Sequence, residues 1–178
     1  MSIVQDPQGQ CHAGSAAATL LARLGLYHDR WPVATVPPAL VAQGRLTPDV
    51  ADGILAHFAE RLNALSEARG YRSRDVIRLA PDTPDLEALL ANFQRAHRHT
   101  EDEVRFVVAG EGIFVVMVSG QRYDVLVTAG DVLAVPAGTR HWFTLTAARS
   151  ITAVRLFGDP AGWVALYDDD ISPTEVSS

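Results

Sequence analysis

From Val104 onward the chain breaks into short segments rich in β-branched and aromatic residues, and this half constrains the fold most. The segments read VRFVV, GIFVVMV, RYDVLV, DVLAVP, RHWFTLT and SITAVRLF. Between them lie AGEG, SGQ, TAGD and PAGT, whose glycines suit tight turns. Strands this short and this closely spaced have no room for crossover helices, so they must pair as antiparallel hairpins. The result is a sandwich or small barrel.

The preceding half has a different period. Thr47 is placed to cap a helix whose first residue is Pro48, with Asp49 at the positive end of the dipole. Val50, Ile54, Leu55, Phe58, Leu62 and Leu65 recur at helical spacing up to Gly70, which predicts one helix over 48–69. Thr83, Pro84 and Asp85 repeat the starting signal ahead of a stripe of Leu86, Leu89, Leu90 and Phe93. A weaker helix is predicted over 15–26 and a strand over 74–79. The chain is therefore expected to be mainly β with flanking helices, as a single domain over residues 1–178. Residues 1–95 form its helical part, packed outside; 96–165 form the barrel; 166–178 form a polar tail, frayed over 168–178.

With 178 residues and 48% hydrophobic content, the chain can bury a real core. A net charge of −6 and the absence of any Lys/Arg run speak against a nucleic-acid partner. The longest apolar runs fall short of the roughly 18 residues a membrane span needs, so no membrane partner is expected. Cys11 is the only cysteine, which rules out an intrachain disulfide and points to a reducing compartment, the cytoplasm.

Three of the six histidines, His97, His99 and His141, lie in or beside these strands. Residues two apart on a strand share a face, so His97 and His99 point the same way and Arg98 the other. Glu103 and Arg105 share that parity, and so does Phe143 with His141. A barrel can gather all of these inside. His-x-His alone is a weak metal signal, and His12, His28 and His57 read as ordinary packed or hydrogen-bonded histidines.

The wider spacing is more specific. His97 is followed by His99, Glu103 and Gly110; Gly130 is followed by Pro136, Ala137, Gly138 and His141. These two blocks resemble the paired motifs of the cupin superfamily. The resemblance implies a cupin-type antiparallel barrel, the double-stranded β-helix, in which three histidines and one glutamate hold a divalent metal. Three imidazoles, one carboxylate and two remaining positions suit an octahedral first-row ion rather than a closed structural zinc site. Arg105, if it faces inward, would add positive charge beside the metal and favour an anionic guest.

A longer likeness covers about residues 31–170. GYRSRDVIRL, HRHTEDEVRFVVAGEGIF, VPAGTRHWF and AVRLFGDPAGWVA resemble the acireductone dioxygenase family of methionine salvage. The resemblance implies one Fe(II) or Ni(II) per chain, held by His97, His99, Glu103 and His141. The implied reactants are an acireductone, 1,2-dihydroxy-3-keto-5-methylthiopentene, and dioxygen. The iron form would give formate and 4-methylthio-2-oxobutanoate; the nickel form would give formate, carbon monoxide and 3-methylthiopropanoate. Arg105 matches the family's substrate-facing, catalytic arginine and Arg155 a second arginine nearby. Phe93, Phe143 and Trp163 match aromatic positions around the substrate, and the family is commonly monomeric. Ala96 departs from the glutamate usual before the first metal histidine. Two other readings stay open at this level: a non-enzymatic cupin binding a small anion, and a cupin oxygenase or isomerase with another substrate.

Overall fold

A computed structural model describes residues 2–42, 44–159 and 164–167. Helices are α1 Ser15–Arg23, α2 Pro38–Val41, α3 Pro48–His57, α4 Ala59–Arg69 and α5 Leu86–Phe93. Strands are β1 Ile3–Gln5, β2 Cys11–Ala13, β3 Tyr27–Arg30, β4 Ser73–Leu79, β5 His97–Arg98 and β6 Glu103–Val118. They continue with β7 Gln121–Thr128, β8 Asp131–Val135, β9 His141–Leu145, β10 Ile151–Phe157 and β11 Leu166–Tyr167.

Strand β6 organises the barrel because its two halves belong to different sheets. Its first half pairs with β8 and β10, and β3 and β4 extend that sheet at either side. Its second half pairs with β7 and β9, and β1, β2, β5 and β11 extend the other. All these pairings are antiparallel, and the architecture is the cupin-type barrel expected, with helices outside it. The strand turns the corner at Gly110, which has φ of 75°. A Cβ there would sit 2.1 Å from the carbonyl oxygen of Ser150, so only glycine allows the two strands to approach.

Side-chain alternation divides the core in two. Val107, Phe114, Val116, Leu133, Val135, Ile151 and Ala153 fill the barrel interior with Leu86 and Leu90 of α5. Val104, Phe106, Val108, Val132, Ala134, Val154 and Leu156 face outward, under Ile54, Phe58, Leu62 and Leu65 of α3 and α4. Both faces of that sheet are therefore buried, which explains why β8 reads as an unbroken apolar run after Asp131.

Local structure departs from the sequence expectations at four places. The helix predicted over 48–69 is two helices, broken at Phe58, whose φ and ψ are −104° and 12°. The Phe58 ring lies edge-on to Phe106 with centroids 4.6 Å apart, so packing on the sheet takes the position that helical periodicity assigned to a straight helix. Thr83 does not cap α5. Its hydroxyl accepts the Ala80 amide at 2.9 Å, and Asp85, with φ of 54°, stands at the helix start. The helix expected over 15–26 ends at Arg23, and the region before residue 95 also contains β1, β2 and β3. Each of these strands has only three or four residues, too few to show a period, and forms by pairing with β7, with a strand neighbour or with β8. Finally, Leu166 and Tyr167, assigned to the polar tail, pair with Arg98 and His97. The strand over 74–79 and the N-cap at Thr47, whose hydroxyl accepts the Val50 amide, are as expected.

Candidate metal centre and substrate pocket

His97, His99, Glu103 and His141 meet at one point. One ligand atom from each lies within 4.8 Å of those of the others, and all four residues are buried. The topology does this directly: His97 stands opposite His141 in the β5–β9 pair, and Glu103 begins the first half of β6. The turn before β9 is tied to the first motif as well, for Gly138 N–H donates to the His99 carbonyl at 2.9 Å. The carboxylate of Asp102 accepts from the Ala137 amide and the Tyr71 hydroxyl, both at 3.1 Å.

Backbone carbonyls fix the imidazole tautomers. The Nδ1–H groups of His97 and His141 donate to the Arg95 and Thr139 carbonyls, each at 2.7 Å, and His99 Nδ1 faces the Val164 carbonyl at 3.4 Å. Each Nε2 is thereby left as the ligand atom. The Arg95 carbonyl supplies His97 with its acceptor, so the carboxylate that Ala96 lacks is not needed for that purpose.

Glu103 divides its two oxygens. Oε2 faces His141 Nε2 in a direct contact and His99 Nε2 at 3.5 Å; Oε1 meets Arg105 at 2.5 Å. Burial alone would raise the Glu103 pKa. The Arg105 guanidinium and the two imidazoles outweigh it and hold the carboxyl well below the usual carboxylate range. Burial pushes Arg105 down to about 10 despite Glu103, and it stays cationic at neutral pH. Burial also depresses His97. For His141 burial acts the same way, but the hydrogen bond and charge of Glu103 prevail and raise it.

This donor set fits a divalent ion. Ligands at about 2.1 Å from a common centre stand roughly 3–4 Å apart, close to the spacing present. An anionic carboxylate and three oriented neutral imidazoles are the ligands such an ion requires.

His97, His99 and Glu103 of the centre form one wall of a cavity of about 160 Å³. Arg105 and Arg155 add charge to the wall, and Ile77, Phe93, Phe143 and Ile151 are among its apolar lining. Phe143 packs between Phe114, at a centroid distance of 5.1 Å, and the edge of Phe93 at 6.4 Å. Arg155 lines the pocket while its guanidinium forks onto Asp75 on the neighbouring strand. Trp163 lies outside the described residues.

Two contributors escaped sequence reasoning. Tyr167 lines the cavity, its ring 5.8 Å from His97 and beneath the Arg95 guanidinium at 3.8 Å. Its two-residue strand carries no periodic signal. Gly112 makes room for Phe143, since a Cβ there would stand 2.4 Å from the ring. A glycine within an apolar strand was the available clue to such a close approach.

Comparison with known proteins agrees with this geometry. The family model described as ARD/ARD' family matches residues 43–165. An acireductone dioxygenase of Bacillus pumilus is 42% identical over 154 residues, covering 86% of this chain and 88% of the relative. One from Sulfurihydrogenibium is 38% identical over 156 residues, covering 88% and 87%. A solved acireductone dioxygenase from Bacillus anthracis, with a cadmium ion in its active centre, superposes with a TM-score of 0.90 at 36% identity, covering 94% of this chain and 98% of the other. Sequence, fold and the three-histidine, one-glutamate centre together place this chain in the acireductone dioxygenase family.

Proposed function

We propose that the protein cleaves 1,2-dihydroxy-3-keto-5-methylthiopentene with dioxygen in methionine salvage. The iron form gives formate and 4-methylthio-2-oxobutanoate, and the nickel form gives formate, carbon monoxide and 3-methylthiopropanoate. The observation that carries this reading is the convergence of His97, His99, Glu103 and His141, the first three of which line a pocket that also presents two arginines. Those four residues hold one ion per chain. The bound ion supplies the Lewis-acid and redox chemistry. Arg105 and Arg155 attract and orient the ionised enediol, holding its reacting carbons in place. Phe93 and Phe143 enclose the methylthio arm and keep water from the reacting atoms. Glu103 is held ionised by Arg105, so it remains an anionic ligand at neutral pH.

The monomeric state is supported by how few large apolar side chains the described residues expose: Leu89, Val164 and Leu166. A cytoplasmic location is supported by the lone, exposed Cys11.

The test is to load metal-free protein with Fe(II) or Ni(II), supply synthetic acireductone, and follow oxygen uptake and products. Oxygen consumption with a product switch between the metals supports the reading. One bound equivalent of metal with no oxygen consumption would favour a binding cupin, and turnover only of an unrelated diol or thiol would favour a different oxygenase.

A further inference from the structure

Asp75 stands at the outer end of a row of charges that crosses the pocket wall. In the strand register Asp75 lies opposite Arg155, and Arg155 lies opposite Arg105. Arg105 in turn meets Glu103 at 2.5 Å. The order is carboxylate, guanidinium, guanidinium, carboxylate, with the last on the metal centre.

Two guanidiniums side by side repel each other, and Arg155 sits on the strand adjacent to the buried Arg105. Asp75 accepts from Arg155 Nε at 2.6 Å and also from its Nη2. Such a two-point fork fixes the plane of the guanidinium as well as its place. Asp75 itself is not part of the cavity lining, although Ile77 and Leu79 of the same strand are.

We propose that Asp75 is a positioning residue that acts through Arg155, holding it beside Arg105 and matching the charge of the site to a doubly charged anion. A divalent ion and two guanidiniums set against two carboxylates leave two positive charges, the complement of an enediolate dianion. The proposal rests on the reading of the substrate given above.

The variants Asp75→Asn, Asp75→Glu, Arg155→Ala and the double variant Asp75→Asn/Arg155→Ala test it on the metal-loaded full chain. Asp75→Asn keeps its bulk but loses the fork and leaves one more net positive charge. Its kcat should fall about tenfold or more, as expected when a substrate-orienting group is misplaced. Its KM should not rise, because the added positive charge favours the anion. Metal content should stay at one per chain, and Asp75→Glu should recover part of kcat. The double variant should match Arg155→Ala, since Asp75 has nothing to position once the arginine is gone. Wild-type kcat in Asp75→Asn, or losses that add in the double variant, would overturn the proposal. If Asp75→Asn fails to fold, an Asp75→Glu variant with kcat no better than Arg155→Ala would overturn it instead. A wild-type enzyme that consumes no oxygen with acireductone would refute the reading of the substrate, a separate outcome.

Discussion

A single methyl group added at position 112 tests whether packing behind the pocket sets its shape. Gly112 lies on β6, two residues before Phe114, and shares its inward face. A Cβ built there stands 2.4 Å from Phe143 Cε2, 2.5 Å from Cζ and 3.4 Å from Ile151 Cδ1. Carbon atoms rest about 3.5–4.0 Å apart, so in Gly112→Ala the ring must retreat by about 1 Å or more. Phe114 packs against that ring, so the open direction is the cavity of about 160 Å³ that Phe143 already lines. Overpacking of this kind costs roughly 1–3 kcal/mol. At about 2–4 °C per kcal/mol for a chain of this size, Tm should fall by roughly 2–12 °C. The displaced ring should also raise KM for acireductone more than it lowers kcat, because the metal ligands are not touched. Thermal melting and steady-state oxygen uptake measure both effects. Replacing Phe143 by Leu in the same background removes the obstructing ring edge, so the two changes should be coupled by at least about 0.5 kcal/mol in a double-mutant cycle. An unchanged Tm and KM in Gly112→Ala, or strict additivity in the cycle, would refute the claim that glycine is required for the ring's position.

His97→Ala and His141→Ala should each lose bound metal and oxygen uptake together, and elemental analysis of the purified variants decides whether the two losses coincide. Acidification should release the metal, since only neutral imidazole binds it. Because the hydrogen bond and charge of Glu103 raise the His141 pKa, metal binding to the apo protein at mildly acidic pH should expel protons, which a titration in weak buffer detects; zero release would contradict this. Asp131 is fully buried, accepts the Ser2 hydroxyl at 2.6 Å and an Arg30 N–H at 2.5 Å, and its pKa is driven below the ordinary aspartate value. Burial opposes that shift, but hydrogen bonds from His28, Ser2 and the Thr128 amide, with the charge of Arg30, prevail. Its stabilising contribution is therefore complete above about pH 4 and lost as pH falls through the depressed folded value. Asp131→Asn should cost about 2 kcal/mol at neutral pH. It should also flatten the acid limb of stability, and urea melts from neutral to acid pH would show a parallel limb if the carboxylate were unimportant.

Much of the barrel was legible because its signals are local. Alternating apolar residues and glycine turns after residue 104 specify hairpins, and the likeness of the two histidine blocks to a known family implied the four residues that the fold gathers. Helix starts were less secure. Thr47 caps as its sequence promises, whereas Thr83 turns back to Ala80, because a hydroxyl can satisfy either backbone amide with little difference in energy. The strands at Ile3, Cys11, Tyr27 and Leu166 were invisible, for they exist only as additions to neighbours already formed. Phe58 breaks its helix for a partner, Phe106, that lies 48 positions away in the chain.

By itself, the sequence determined which residue types are at hand, which side of each strand they occupy, and where the chain turns. These follow from residue type and a period of two. Tertiary structure alone decided which donor atom each imidazole offers, that Glu103 splits its oxygens between Arg105 and the metal centre, that Arg155 is forked onto Asp75, and that Gly112 holds space for Phe143. Those outcomes depend on distances between residues far apart in the chain, and strand register and close packing set such distances only once the barrel has closed.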